Sequence, residues 1–78
     1  MKLTIADPDQ TIFEGEAKLI QLPGADGSFE VLENHAPVIA LLKKGNVRVV
    51  DNGNQETTVA IEGGLFSMAD NACRIAIL

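Results

Sequence analysis

The sequence Cys73-Arg74-Ile75-Ala76-Ile77-Leu78 has an apolar residue at positions 73, 75 and 77, separated by one arginine and one alanine. In an extended chain, successive side chains point to opposite faces, so Cys73, Ile75 and Ile77 would share one face while Arg74 and Ala76 share the other. This period of two predicts a β-strand with one buried face and one exposed face.

Similar short segments occupy most of the chain before it. They are rich in β-branched residues or phenylalanine and lie at residues 2–6, 11–13, 17–22, 28–32, 38–42, 47–50, 57–61 and 65–68. Turn-forming residues separate them, for example Asp51-Asn52-Gly53-Asn54 and Asp70-Asn71. The pattern predicts an all-β fold, a flattened β-sandwich or barrel of about ten short antiparallel strands. We interpret the apolar run 38–42 as a buried strand.

Composition narrows the class of protein. A chain of 78 residues has room for one domain, spanning residues 1–78. Its net charge of -5 and its lack of Trp and Tyr disfavour nucleic acid and anionic lipid surfaces as ligands. The single cysteine, Cys73, cannot form an internal disulfide, and no apolar run approaches the ~18 residues that span a bilayer.

Few residues offer catalytic or metal-binding chemistry. His35 is the only histidine, and a metal site needs three or four ligands. The glycine-rich run Pro23-Gly24-Ala25-Asp26-Gly27 lacks the following helix of a phosphate-binding loop, so we interpret Pro23-Gly24 as a type II turn. The sequence therefore predicts no catalytic residue, no metal site and no cofactor.

A set of short motifs, taken in order, is similar to one known family. The motifs are Phe13-Glu14-Gly15-Glu16, Leu22-Pro23-Gly24-Ala25-Asp26-Gly27-Ser28-Phe29, Val31-Leu32, His35-Ala36-Pro37, Leu42-Lys43-Lys44-Gly45-Asn46-Val47 and Glu62-Gly63-Gly64. Together they resemble the N-terminal β-sandwich domain of the F-type ATP synthase epsilon subunit, over essentially the whole chain.

The resemblance implies a non-catalytic rotor subunit that couples ion-driven rotation to ATP synthesis. Its partners would be the gamma subunit and the c-ring, at the cytoplasmic face of a bacterial plasma membrane. By position in the family pattern, Asp7, Pro8 and His35 would lie on the gamma side. The c-ring side would be formed by Ala25, Asp26, Gly27, Ser28, Phe29 and Glu30.

The chain departs from the family pattern at three places. Glu33-Asn34 replaces a Pro-Gly pair that often precedes the His-Ala-Pro motif, and Glu30 stands where a glycine is common. The family's C-terminal helical hairpin has no counterpart in these residues. We therefore expect this chain neither to bind ATP nor to inhibit ATP hydrolysis through such a hairpin.

A carrier domain of the biotinyl or lipoyl kind is the alternative function. Such domains are also small, acidic and β-rich, but their modified lysine projects from a hairpin tip. The clearest hairpin tip here, Asp51-Asn52-Gly53-Asn54, contains no lysine, while Lys43 and Lys44 follow an apolar strand. Covalent modification of one of these two lysines would favour this alternative.

Overall fold

The computed structural model describes residues 1–78 and contains only strands and the turns between them. Its seven strands are β1 (Lys2–Ala6), β2 (Thr11–Glu16), β3 (Leu19–Gly24), β4 (Gly27–Leu32), β5 (Val38–Val50), β6 (Glu56–Ala69) and β7 (Ala72–Ile77). They form one sheet in the order β2-β1-β7-β6-β5-β3-β4. Neighbouring strands are antiparallel, except that β1 and β7 are parallel.

The all-β class is confirmed, whereas the number of strands is seven and not about ten. Segments 38–42 and 47–50 belong to the single strand β5, and segments 57–61 and 65–68 belong to β6. The sequence Lys44-Gly45-Asn46 has the composition of a turn, but Gly45 pairs with Ile61 inside the sheet. A Cβ atom on Gly45 would lie 2.8 Å from the Cβ of Pro23, so this glycine allows β3 to approach β5 closely.

The two long strands allow the sheet to fold into two layers. The first layer contains β2, β1, β7, residues 64–69 of β6 and residues 38–42 of β5. The second layer contains the other halves of β5 and β6, followed by β3 and β4. Both layers contribute to one cluster of 15 buried residues, which includes Leu3, Ile75 and Phe66 from the first layer and Ile20, Leu22 and Val49 from the second. The result is a β-sandwich.

Two hairpin turns show why particular residues occupy them. Between β6 and β7, Asp70 and Asn71 have φ angles of 51° and 61°, which is the backbone of the two-residue turn that matches the twist of antiparallel strands. Between β3 and β4, the turn is formed by Ala25 and Asp26, and Gly27 takes a φ of 133°. The expected type II turn at Pro23-Gly24 is wrong, because both residues lie within β3 and pair with β4.

Candidate partner-binding surface

None of the charged side chains of the fold is fully buried. No group of three His, Cys, Asp or Glu side chains lies close enough to hold a metal ion. Cys73 is buried, and this desolvation raises the pKa of its thiol above the ordinary value of 9.0, partly offset by the positive amino group of Met1. A thiol with a raised pKa is a poor nucleophile at neutral pH. The chain also contains no helix long and apolar enough to cross a membrane.

The surface of the first layer that points away from the core, here called the outer face, carries several large exposed apolar side chains. The strand register aligns one row of apolar residues across four strands of this layer, and the bulge residue Ile12 lies beside the end of this row on β2. We call these residues the apolar stripe; its members are Ile12, the buried Ala6, Ala76, Leu65 and Leu41. Ile39 lies beside the stripe on β5, where it is 74% exposed. A contiguous apolar surface on a small acidic protein is characteristic of a protein-binding site.

The exposure of β5 corrects one expectation from the sequence. The run 38–42 is a strand, but it is not buried, because Ile39 and Leu41 are 74% and 67% exposed. Only Leu42 of this run is fully buried, and Val38 and Ala40 are half-buried toward the core. In a sandwich of antiparallel sheets, each sheet has one face on the core and the other in solvent. In a continuous apolar run, every second side chain is therefore exposed to solvent.

Two open depressions flank the side chain of Ile39. The first is lined by Pro37, Val38, Ser67, Met68, Ala69 and Ala72. The second separates β5 from the tip of the β3–β4 hairpin and is lined partly by Ala25, Asp26 and Phe29. Small side chains such as Ala69 and Ala72 leave space at the surface. The outer face is therefore not flat, and side chains of a partner can insert into its depressions.

The structure places the expected gamma-side residues at separate points on the rim of the outer face. Asp7 and Pro8 follow β1 directly, next to Ala6 of the apolar stripe. His35 lies in the loop before β5, which approaches the opposite end of β1. The two positions are therefore roughly 16 Å apart along the strand direction, given ~3.3 Å per residue in β1. They do not form one cluster, but the apolar outer face lies between them.

The loop that carries His35 is held by the β6–β7 turn. Asn71 accepts a hydrogen bond from the backbone N–H of Asn34 through its Oδ1 atom, at 2.9 Å, and its own carbonyl accepts one from Lys2. Asn34 has a φ of 64°, a conformation open to glycine and tolerated by asparagine. This explains how Asn34 can replace the glycine of the family pattern. His35 itself is exposed, with Nδ1 2.7 Å from the carbonyl oxygen of Ala36.

The expected c-ring residues, Ala25 to Glu30, form the tip and outgoing strand of the β3–β4 hairpin. Asp26 and Glu30 are exposed, as are Gly27 and Ser28. Phe29 is different, because it is half-buried and packs against the core. The backbone N–H of Ala25 donates a hydrogen bond to the carbonyl of Leu41, at 2.9 Å, which fixes the tip against the edge of β5. The carboxylates are thus presented on a firmly held hairpin.

The family of the chain follows from comparison with known proteins. Residues 1–77 match the family model described as ATP synthase, Delta/Epsilon chain, beta-sandwich domain. The chain belongs to this family. The resemblance inferred from the motifs is confirmed, and the alternative of a biotinyl or lipoyl carrier domain receives no support from the comparisons.

Curated relatives in this family are named ATP synthase epsilon chain. The relative from Chlorobium limicola is 40% identical over 70 residues, which cover 90% of this chain and 80% of the relative. The relative from Rhodopseudomonas palustris (strain BisA53) is 37% identical and aligns with 95% of this chain. The chain spans 60% of the length of that second relative.

Two solved structures that match this fold are structures of mitochondrial ATP synthases. A chain in the cryo-EM structure of the Euglena gracilis mitochondrial ATP synthase, OSCP/F1/c-ring in rotational state 1, superposes with a TM-score of 0.89 at 25% identity. It matches 96% of this chain and 48% of that one. A chain in the central stalk/c-ring structure of the Tetrahymena thermophila mitochondrial ATP synthase has a TM-score of 0.78 at 19% identity, matching 99% of this chain and 62% of that one. The second likeness concerns the fold alone.

Proposed function

We propose that this chain is a non-catalytic stalk component of an F-type ATP synthase that binds the foot of the gamma subunit and the c-ring. In this role it couples ion-driven rotation of the ring to ATP synthesis. It would act as a peripheral component at the cytoplasmic face of a bacterial plasma membrane, reaching the membrane only through its partners. The observation that carries the proposal is the family match over residues 1–77, found in a chain with a large exposed apolar surface.

A coupling component must transmit torque without deforming, and the fold suits that demand. Of 48 backbone hydrogen bonds, 39 lie within the strands, and the two layers share β5 and β6. A shear between the layers would have to deform both long strands, which run through the two layers. The continuous sheet therefore leaves few places for a hinge.

We assign the gamma subunit to the outer face. The exposed side chains of Ile39 and Leu41 would be buried on docking, and well-packed apolar contacts at the centre of an interface supply much of its binding free energy. Asp7, Pro8 and His35 lie on the rim of this face, where polar residues commonly surround an apolar centre. This arrangement allows three residues that are far apart to contact one partner.

We assign the c-ring to the β3–β4 hairpin. Asp26 and Glu30 offer exposed carboxylates to basic groups on the loops of the ring, and Gly27 and Ser28 add little steric bulk. Phe29 has an internal role in this assignment, since its ring anchors the hairpin to the core. Each exposed ion pair would contribute only about 0–1 kcal/mol, so the two carboxylates would act together.

Binding to the solubilised rotor assembly of gamma and c subunits, depleted of its own epsilon subunit, tests the gamma assignment. Ile39→Asp should weaken binding by about 30-fold or more, because docking would bury an unpaired carboxylate in an apolar interface. Leu32→Asp is the matched control, since Leu32 is also 56% exposed but lies on β4, away from the outer face. Equal binding by wild type and Ile39→Asp would refute the gamma assignment.

The c-ring assignment is tested with the c-ring and isolated gamma as two separate binding partners. The double variant Asp26→Lys and Glu30→Lys should weaken binding to the c-ring while leaving binding to isolated gamma unchanged. Its control is Glu56→Lys with Glu62→Lys, which changes the net charge by the same amount at two exposed positions on β6. If both double variants behave alike, overall charge rather than the hairpin is responsible.

A further inference from the structure

Arg74 occupies an unusual position on the outer face. It lies on β7, the middle strand of the five in the first layer, and its neighbours on the outer side of β7 are Ala72 and Ala76. Across the sheet, the register places it between Thr4 and Ser67. The guanidinium is thus surrounded by small side chains, two of them alanine and two carrying hydroxyl groups, and the other cation of this face, Lys2, pairs with Ala72 at the neighbouring position on β1.

The guanidinium of Arg74 has no partner within this chain. The three ion pairs of the structure join the Met1 amino group with Glu33, Lys44 with Glu62, and Arg48 with Glu56, and no side-chain hydrogen bond involves Arg74. The carboxylate in the same row is Glu14, but β1 separates the two strands, so their backbones are roughly 10 Å apart at ~4.8 Å per strand.

Docking on the apolar stripe would cover Arg74 as well. Ala76 of the stripe is only two residues away, about 7 Å along β7. Perpendicular to the strands, the edge of the layer is two strands away from β7 on either side. The guanidinium therefore cannot easily reach solvent at that edge when a partner covers the stripe. A charge buried without a partner is strongly unfavourable, whereas a carboxylate accepts two parallel hydrogen bonds from a guanidinium.

We propose that Arg74 determines the specificity of the outer face, by pairing with a carboxylate that the docked gamma subunit presents within its apolar contact surface. This inference rests on the proposed function, because it takes gamma as the occupant of the outer face. The inference adds a requirement to the apolar contacts, namely that the partner carries an acidic residue opposite Arg74. A partner with an equally apolar surface but no acidic residue at this point would be rejected, because it would bury the guanidinium unpaired.

The test measures the affinity of the full chain for the gamma–c-ring assembly with three substitutions at one position. Arg74→Met keeps most of the apolar stem and should weaken binding 10-fold or more, because the partner's carboxylate would be left unpaired. Arg74→Lys keeps the charge but lacks the planar pair of donors, so its loss should be smaller. Arg74→Glu should weaken binding at least 100-fold, since two carboxylates would face each other. Thermal unfolding should be unchanged in all three, because Arg74 is exposed.

Exchanging the two charges between Arg74 and its partner carboxylate on gamma tests the proposed ion pair most directly. One acidic residue of gamma, when replaced by Lys, should restore binding to Arg74→Glu while weakening binding to wild type. Glu14→Gln serves as the control within this chain, and it should bind as wild type does. A loss with Glu14→Gln equal to that with Arg74→Met would place the counter-ion within this chain and overturn the proposal.

Failure of this inference is distinguishable from failure of the proposed function. If Ile39→Asp abolishes binding but Arg74→Met binds within 2-fold of wild type, the outer face binds gamma and the role of Arg74 is refuted. If neither substitution affects binding, the outer face is not the gamma site, and both statements fall. A dimer of this chain that Ile39→Asp dissociates, without any binding to gamma, would assign the face to a second copy and overturn both.

Discussion

The ring of Phe29 on β4 meets the ring of Phe66 on β6 edge to face, with centroids 6.1 Å apart and planes inclined at 67°. These two strands are not neighbours in the sheet, since β5 and β3 lie between them. The contact therefore connects the two layers across the core. It also ties the β3–β4 hairpin, which carries Asp26 and Glu30, to the layer that carries the outer face.

The aromatic contact should appear as a coupling energy in a double-mutant cycle. With Phe29→Leu and Phe66→Leu, the free energies of unfolding should differ from additivity by about 0.5–1.5 kcal/mol, the usual value for an edge-to-face pair. Urea unfolding of the four proteins provides the measurement. Phe13→Leu combined with Phe66→Leu is the control pair and should be additive, because no ring contact joins them. Additivity in both cycles would show that Phe29 packs without any specific aromatic interaction.

The close approach of β6 and β7 depends on a glycine. A Cβ atom on Gly64 would lie 2.5 Å from the carbonyl oxygen of Ala76, a backbone atom that cannot move without displacing β7. Gly64→Ala should therefore reduce the free energy of unfolding by about 1–3 kcal/mol. Gly15→Ala is the matched control on β2, where the nearest atom is 3.5 Å away on the ring of Phe13. Alanine there should be neutral or stabilising by up to about 1 kcal/mol, since it lowers the entropy of the unfolded chain. Equal losses would contradict the steric argument.

The sequence predicted the fold class because its local signals agree with the structure over most strands. It overestimated the number of strands at Gly45 and at Gly63-Gly64, where the glycines lie inside the long strands β5 and β6 instead of in turns. The inward positions also change there, from Leu42 to Val47 in β5 and from Ile61 to Phe66 in β6. In β5 the buried positions change from even to odd numbers, and in β6 they change from odd to even. A pattern with a period of two is interrupted at each change, so each long strand was predicted as two short ones.

The turn between β6 and β7 should depend on both the backbone and the side chain of Asn71. Asn71→Gly keeps access to a positive φ but removes the acceptor of the Asn34 N–H, and it should cost about 1 kcal/mol. Asn71→Ala loses both features and should cost about 1–2 kcal/mol more. Urea unfolding measures the difference, with Asn52→Ala in the β5–β6 turn as the control, expected within about 0.5 kcal/mol of wild type. If Ala and Gly at position 71 are equivalent, the positive φ contributes nothing.

The candidate surface was only partly predictable. The family pattern proposed Asp7, Pro8, His35 and the hairpin Ala25–Glu30 as contact residues, which stay predictions, and the sequence alone did not reveal that Ile39 and Leu41 are exposed. Burial of a strand face depends on which layer covers it, and that depends on the pairing of distant strands. The role proposed for Arg74 was hidden from the sequence for the same reason, because its neighbours are set by the register of β1, β7 and β6.

The buried thiol of Cys73 should make stability fall in alkaline solution. Burial raises the pKa of this thiol above 9.0 in the folded protein, and the Met1 amino group offsets this only in part. Below about pH 9 the thiol is protonated in both states, so its burial carries no ionisation penalty. Above that pH the unfolded thiol ionises while the folded one does not, and unfolding becomes progressively more favourable until the pH exceeds the folded pKa. Urea midpoints measured from pH 7 to pH 10.5 should therefore fall more steeply for wild type than for Cys73→Val, which fills a similar volume and cannot ionise. Parallel curves would mean that the thiol has the same pKa in both states, and that other groups alone cause the alkaline loss.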